Sequence, residues 1–427
     1  MNEVHVIATL APARRDWVHR VAHWSTSGEL PATTVTCLSA RELRSLVGTG
    51  RAVSLVLVDS GTLGFDRDVV AELAAASINV VVVDDGRAAH DWDAIGCAEV
   101  TSPPASVADV SDLLDAYGRS ASPRRRASSA FNLSNADSTA GPIISVTGTR
   151  GTTSAVIAMA IAQGLAAIDG DDAAVALIDG GRRATLTVLH APDDVLPNLT
   201  DLVDAHRSDT LDPQQIRSAL HHLDGCRYDV LTGIRRTRDW TALRPLALDA
   251  ALTGVAAAYR STVIEHDPDV DGSDSTGSVD VDERHALARW ATEHADLVVL
   301  TGTPDVAGLF ELASIRADLH DAGLPQDRTL TIVVAPQRSA ALAASVHDIR
   351  SAVGAHPAQV IALGRRVELS LRAGLPLPQS FANRVTSAVV SRLDQVGRRP
   401  RSDVPAAVRP GELGTRFDQR VPNGEVA

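Results

Sequence analysis

Lysine is missing altogether: the 40 Lys+Arg residues of this 427-residue chain are all arginine, so no ammonium side chain can be borrowed from elsewhere to serve a phosphate site. Aromatic residues make up only 3%, which argues against a surface on which nucleic-acid bases stack. The cysteines, Cys37, Cys97 and Cys226, are too widely spaced for a disulfide framework or a zinc site. No uninterrupted apolar run of about 18 residues is present, as a membrane-spanning helix would need. The start MNEVHVIATLAPARRDW lacks a charged leader and a cleavage site. A net charge of −13 argues against bulk binding to DNA or to an anionic membrane. These absences point to a cytoplasmic protein with no transmembrane segment and no nucleic-acid partner.

What is present is the composition of a globular protein, 44% hydrophobic and 22% charged, in a chain long enough for two or three domains. Its organising stretch is GPIISVTGTRGTTSAVIAMAIAQGLAA, Gly141 to Ala167. The pattern predicts a buried strand over Ile143 to Val146, a Gly/Thr turn over Thr147 to Gly151, and a helix whose first turn is Thr152, Thr153 and Ser154. A strand, a glycine turn and a helix N-terminus together face an anion with backbone N–H groups and the positive end of the helix. The Walker A pattern G-x-x-x-x-G-K-[ST] is nonetheless broken, with Val146 at the first glycine and Thr152 at the lysine. The loop resembles more closely the deviant form of the MinD/ParA family, K-G-G-x-G-K-T-[TS]. On that alignment Gly148, Gly151, Thr153 and Ser154 are kept, while Thr147, Thr149 and Thr152 replace the signature lysine, a glycine and the phosphate lysine.

Upstream, VHVIA, TTVTCL, SLVLVDSG, INVVVVDDG and CAEVTS alternate with RDWVHRVAHW, ARELRSLVG, DRDVVAELAAA and VADVSDLLDAY. Short apolar strands separated by helical periodicity imply a parallel sheet with helices on both faces. Five such units resemble a receiver domain, with Asp59 at the phosphoacceptor position. The acidic pair that such a domain needs after its first strand is replaced by Ala8, Thr9 and Leu10, and its lysine by Thr101, Ser102 and Pro103. A phosphoryl group on Asp59 would have little to neutralise it, so the expectation is a phosphorylation-independent module. Asp84 and Asp85 read as a turn. Gly118 to Gly141 is rich in Ser, Ala and Arg without apolar period and reads as a linker. The resulting division is a degenerate receiver-like flavodoxin-type domain over 1–118, a linker over 119–140, a P-loop domain with a mostly parallel sheet over 141–396, and a disordered tail over 397–427.

Beyond the loop, a buried strand ends in Asp179, where the MinD/ParA family begins a D-x-D motif; Gly181 stands in place of the second aspartate. The strand STVIEHD offers Glu265 and Asp267 for the Walker B role of reaching magnesium through water, in an undetermined register. The acidic stretch DPDVDGSDSTGSVDVDE reads as a solvated loop, since it has Ser278 where a calcium loop needs glutamate. Ala335-Pro336 takes the place of an adenine-reading asparagine, and Gly374-Leu375-Pro376 matches the family's closing turn.

A degenerate receiver, a linker and a MinD/ParA-like P-loop domain in this order resemble the CpaE/TadZ family of pilus-assembly localisation proteins, over about Val4 to Leu393, and within it a high-GC subgroup of septum site-determining and secretion-neighbourhood proteins. The resemblance implies a homodimer formed through the nucleotide face, possible use of ATP and Mg²⁺, and cytoplasmic division, pilus or secretion partners that recruit the protein to septum, pole or inner membrane. Losing a preorganised phosphate cation costs a phosphoryl-transfer site roughly 3 to 4 kcal/mol, by analogy with a lost oxyanion donor. The expectation is a positional scaffold without efficient hydrolysis. The alternative is a weak ATPase in which Arg150 supplies charge, with Gly148 to Ser154 as the nucleotide-binding residues and Thr153, Asp179, Glu265 and Asp267 as the magnesium-linked ones. The Gly-Gly-Arg-Arg run after Asp179 is similar to bacterial tyrosine kinases, but the only tyrosines are Tyr117, Tyr228 and Tyr259, which leaves no tyrosine-rich tail.

Overall fold

The computed structural model describes residues 5–12, 15–48, 53–86, 91–118, 141–149, 153–169, 174–190, 194–207, 209–223, 225–336 and 359–397. The linker expected over 119–140, the tail after Gly397, and Arg150, Gly151 and Thr152 of the loop lie outside them.

Two sheets carry the chain. The first contains β1 (His5–Leu10), β2 (Ala32–Cys37), β3 (Leu55–Asp59), β4 (Asn79–Val83) and β5 (Glu99–Thr101), ordered β2-β1-β3-β4-β5 with every pair parallel. Alternation along the strands divides their side chains between two cores. Ala8, Leu10, Val56, Val58, Val80 and Val82 pack under α2 (Ala40–Gly48) and α3 (Arg67–Ala75). Ile7, Leu55, Leu57, Val81 and Val83 pack under α1 (Asp16–Ser27) and α4 (Val107–Tyr117). Helix starts follow their capping chemistry: Asp66 accepts the Val69 N–H, and Ser106 and Asp109 form a reciprocal capping box. All five strands and four helices lie where the periodicity puts them. Between β4 and β5 the described residues contain no helix.

The second sheet contains β6 (Ile143–Gly148), β7 (Val175–Asp179), β8 (His221–His222), β9 (Asp229–Leu231), β10 (Ser261–Glu265), β11 (Leu297–Gly302), β12 (Thr329–Pro336) and β13 (Gln359–Leu363). Its order is β13-β12-β11-β6-β10-β7-β9-β8, parallel except for the edge pair β8 and β9. Around it run α5 (Thr153–Asp169), α6 (Thr185–His190), α7 (Leu199–Ala205), α8 (Pro213–Ser218), α9 (Pro245–Ala258), α10 (Ser273–Thr276), α11 (Val279–Arg284), α12 (Ala286–His294) and α13 (Val306–Asp321), followed by helices Arg365–Arg372 and Gln379–Val396. The chain is an α/β protein with mostly parallel sheets. No helix among the described residues is long and apolar enough to cross a membrane.

Helix α5 is apolar around its whole circumference and is buried from Ser154 to Ala166, as a helix enclosed on all sides must be. It packs against the sheet and Gln379–Val396. Strand β6 lies between β11 and β10. From β6 the chain crosses to β7 on one side, and from β10 it crosses back over β6 to β11. That reversal makes a switch point, and the crevice outside the carboxyl ends of such strands is where open α/β sheets bind ligands.

One expectation is corrected here. The acidic stretch after β10 is not simply a solvated loop, because it folds into α10 and α11 and its carboxylates find arginines. Asp269 pairs with Arg182, and Asp282 pairs with Arg289 at 3.0 Å. The sequence pattern hid this because both arginines come from other segments.

Candidate functional site

The carboxyl ends of β6, β7 and β10 surround a cleft of about 670 Å³, lined on its floor by Gly148, Thr149, Ser154, Gly181, Glu265 and His266. Strand register places the acids. Glu265 lies opposite Val146 on one side and Asp179 on the other, so both carboxylates end adjacent strands at the same level. This settles the β10 register: Glu265 closes the strand, and Asp267 lies two residues beyond it.

Each acid has a distinct set of partners. Ser154 Oγ, in the first turn of α5, donates to Glu265 Oε1 at 2.6 Å. Glu265 Oε2 is buried with no hydrogen-bond partner. Burial, and after it the neighbouring Asp179 charge, pushes the Glu265 carboxyl up to about 8, so it holds a proton at neutral pH. Asp179 Oδ2 accepts from the backbone N–H and the hydroxyl of Thr187, both at 2.7 Å. Burial raises Asp179 to about 6 against those hydrogen bonds. Asp267 faces the opposite way, accepting from Arg182 Nε at 2.8 Å and the Arg182 backbone N–H at 2.9 Å, while the other end of that guanidinium meets Asp269.

Two glycines are fixed by close approach. A Cβ on Gly148 would fall 2.0 Å from the Thr301 carbonyl oxygen of β11, so this glycine is required by the sheet whatever the cleft holds. A Cβ on Gly181 would lie 3.1 Å from Glu265 Oε2. An aspartate there, as the D-x-D pattern asks, would place a third carboxylate beside two that are already hard to ionise.

The remaining predicted residues fall as follows. Thr147 is buried inside the sheet, and its hydroxyl donates to the His266 carbonyl at 2.9 Å. Thr149 reaches the cleft with a buried hydroxyl that has no partner. Thr153 is the first residue of α5 and half-buried. Arg150, Gly151 and Thr152 lie outside the described residues. Asp59 is remote from this cleft, on the first sheet. It is 4% exposed and its oxygens are taken: Trp17 Nε1 donates to Oδ2 at 3.0 Å, while the Arg15 guanidinium at 2.9 Å and the Gly61 N–H at 3.0 Å reach Oδ1. Arg15 also reaches Asp85 at 3.3 Å, and Asp84 accepts the Gly86 N–H as the expected turn requires. Arg15 thus bridges Asp59 and Asp85 at the carboxyl ends of the first sheet's strands.

Sequence reading missed several groups. Ser145, in the middle of β6, contacts His266 Nε2 at 2.6 Å, and His266 Nδ1 lies 2.7 Å from the Asp267 carbonyl. A carbonyl only accepts, so Nδ1 carries the ring proton and Ser145 donates to Nε2. This fully enclosed pair ties β6 to the turn after β10. The only signal was a serine inside an apolar strand. Thr187 and Arg182 gave none, because their partners are eight and 85 residues away.

The oxygen set of Asp179 and Glu265, with Thr153 on the adjoining helix turn, suits a hard divalent cation. The phosphate half of a magnesium nucleotide is not matched among the described residues: the arginines lining the cleft are Arg182, already engaged by two aspartates, and Arg183, which is exposed.

No family model matches the chain, and no curated protein matches it. Among solved structures, a ParA family ATPase from Chlorobium tepidum is similar at 16% identity and TM-score 0.49, over 58% of this chain and 99% of that one. The MinC:MinD cell division complex of Aquifex aeolicus matches at 15% identity and TM-score 0.45, over 62% of this chain and 99% of that one. The septum site-determining protein MinD of Pyrococcus horikoshii, complexed with Mg-ADP, matches at 17% identity and TM-score 0.45, over 60% and 97%. These are likenesses of overall fold, and at such values they carry no functional inference.

Proposed function

We propose that the chain is a positional scaffold built on a MinD/ParA-like P-loop fold whose cleft has given up efficient phosphoryl transfer. One observation carries this reading. The cleft is lined by Glu265, Asp267 and Asp269, with Asp179 ending the strand beside Glu265, and its central arginine, Arg182, is held by Asp267 and Asp269. A transferring phosphoryl group needs positive charge preorganised around it, and the chain has no lysine to supply that. On this reading the protein is of the CpaE/TadZ kind, divided into a receiver-like unit over 1–118 and a P-loop unit over 141–396. It acts as a cytoplasmic homodimer that marks a septum, pilus or secretion site for protein partners.

A weak ATPase is the second reading, supported by the unpartnered oxygens Thr149 Oγ1 and Glu265 Oε2 at the cleft. In that case Asp179, Glu265 and Thr153 hold the magnesium that accompanies ATP, and Arg150 supplies the missing charge. Calorimetry of Mg-ATP binding to the full chain, with a phosphate-release assay and an Arg150→Ala control, separates the two. Binding without turnover, or no binding at all, is expected for the scaffold; turnover abolished by Arg150→Ala establishes the ATPase and overturns it.

A further inference from the structure

The two sheets meet through an interface whose chemistry lies in three consecutive residues, Asp66, Arg67 and Asp68, at the start of α3. All three are buried, at 4%, 2% and 5% exposure. Charged residues are almost never that buried unless paired, and here their partners lie in the other unit. The Arg67 guanidinium donates from Nε to the His206 carbonyl at 3.2 Å and from Nη2 to the Asp209 carbonyl at 3.3 Å, while its backbone N–H donates to the Arg207 carbonyl at 2.9 Å. His206 is the residue that closes α7, so Arg67 places a cation and donors where that helix presents its unsatisfied carbonyls. Asp68 accepts the Leu246 N–H at 3.2 Å. Leu246 lies in the first turn of α9, and Arg244 before it has no capping side-chain bond of its own. Asp68 therefore caps α9 from outside. Asp66 completes the set, accepting from Arg207 Nε at 2.9 Å and Nη2 at 2.8 Å while also capping α3. At the rim, Glu72 of α3 reaches Arg244 at 3.7 Å, and the Asp91 N–H donates to Asp209 at 3.1 Å.

We propose that this surface makes the N-terminal unit a permanent intramolecular partner of the P-loop unit, docked by reciprocal capping of α7 and α9, and not a module free on a tether. Pulled apart, Asp66, Arg67 and Asp68 would lose these directed bonds, and α7 and α9 would each lose the side chain that satisfies an end. The pairing is also specific, because Asp-Arg-Asp answers a carbonyl end, an N–H end and the Arg207 side chain in that geometry alone. The docked unit in turn steadies one wall of the cleft. Helix α7 begins at Leu199, whose N–H donates to Thr232, and the next residue, Gly233, donates to the Thr187 hydroxyl that holds Asp179. This inference does not rest on the scaffold reading, since it holds whether or not the cleft binds nucleotide.

The test uses the full chain with a site-specific protease sequence inserted between Gly118 and Gly141. After cutting, the halves are expected to elute together from a sizing column at micromolar concentration. The halves of an Arg67→Ala/Asp68→Ala chain are expected to elute separately, and that uncut chain to show faster amide exchange over 199–207 and 245–252. Separation of the wild-type halves overturns the proposal, and so does co-elution of the variant halves. Should the double variant fail to fold, Arg67→Lys decides: it keeps the charge but loses the two-pronged grip on the carbonyls. It is expected to weaken association of the halves at least tenfold, and wild-type association overturns the proposal.

Discussion

Glu265 and His206 are buried titratable groups whose environments act in opposite directions on stability. For Glu265 the folded value, about 8, lies above its ordinary 4.5, so the protonated fold is favoured and that advantage is lost as pH rises from 4.5 through 8. Glu265→Gln keeps an acceptor for Ser154 and cannot ionise. It should raise the melting temperature clearly at pH 9 and little at pH 5, as calorimetry of both proteins across that range will show. For His206, burial and then the Arg67 charge lower the ring from 6.5 to about 4. The neutral ring is the folded form, so its contribution is complete above 6.5 and falls as pH drops toward 4, by about 3 kcal/mol in all. Urea midpoints between pH 7 and pH 4.5 should fall accordingly, and His206→Asn should flatten that part of the profile. Neither effect was legible in the sequence, because each depends first on burial in the fold and then on a residue more than 80 positions away, Asp179 for Glu265 and Arg67 for His206. What the sequence did carry at this scale was the missing lysines and the substitution of Gly181, which follow from residue identity alone.

At the scale of the element, strands and helices were legible because their cause is local. The runs SLVLVDSG and VADVSDLLDAY predict β3 and α4, since apolar period is a sequence-near property. The acidic stretch after β10 was misread because α10 and α11 draw their support from Arg182 and Arg289, which local pattern does not reveal. Gly148 illustrates how an element can hold a motif residue for its own reasons. Gly148→Ala should destabilise the chain by about 2–3 kcal/mol, since its Cβ would meet backbone of β11 that cannot rotate away. Denaturant unfolding of the variant checks this, and the loss should be the same with or without nucleotide. A glycine kept only for phosphate contact would instead leave the apo protein nearly unchanged.

For the whole molecule, the sequence made the order of two α/β units readable but gave no account of how they meet, since Asp66-Arg67-Asp68 looks like any polar helix start. The Asp59 carboxylate of the first unit is enclosed by Trp17 and Arg15. Incubation of the full chain with acetyl phosphate and magnesium is therefore expected to leave Asp59 unlabelled by intact-mass measurement. Arg15→Ala should lower stability on the order of 1–3 kcal/mol, because it leaves a buried carboxylate with fewer donors.

Arg15 and Arg182 each follow a parallel strand and each answers carboxylates at the mouth of its unit. A bound metal or nucleotide comes and goes with supply, whereas a guanidinium stays charged at any pH a cell reaches. Chelators or falling magnesium would leave these ion pairs, Arg15 with Asp59 and Arg182 with Asp267, untouched. The ion pairs that close the two mouths need nothing from solution to stay formed.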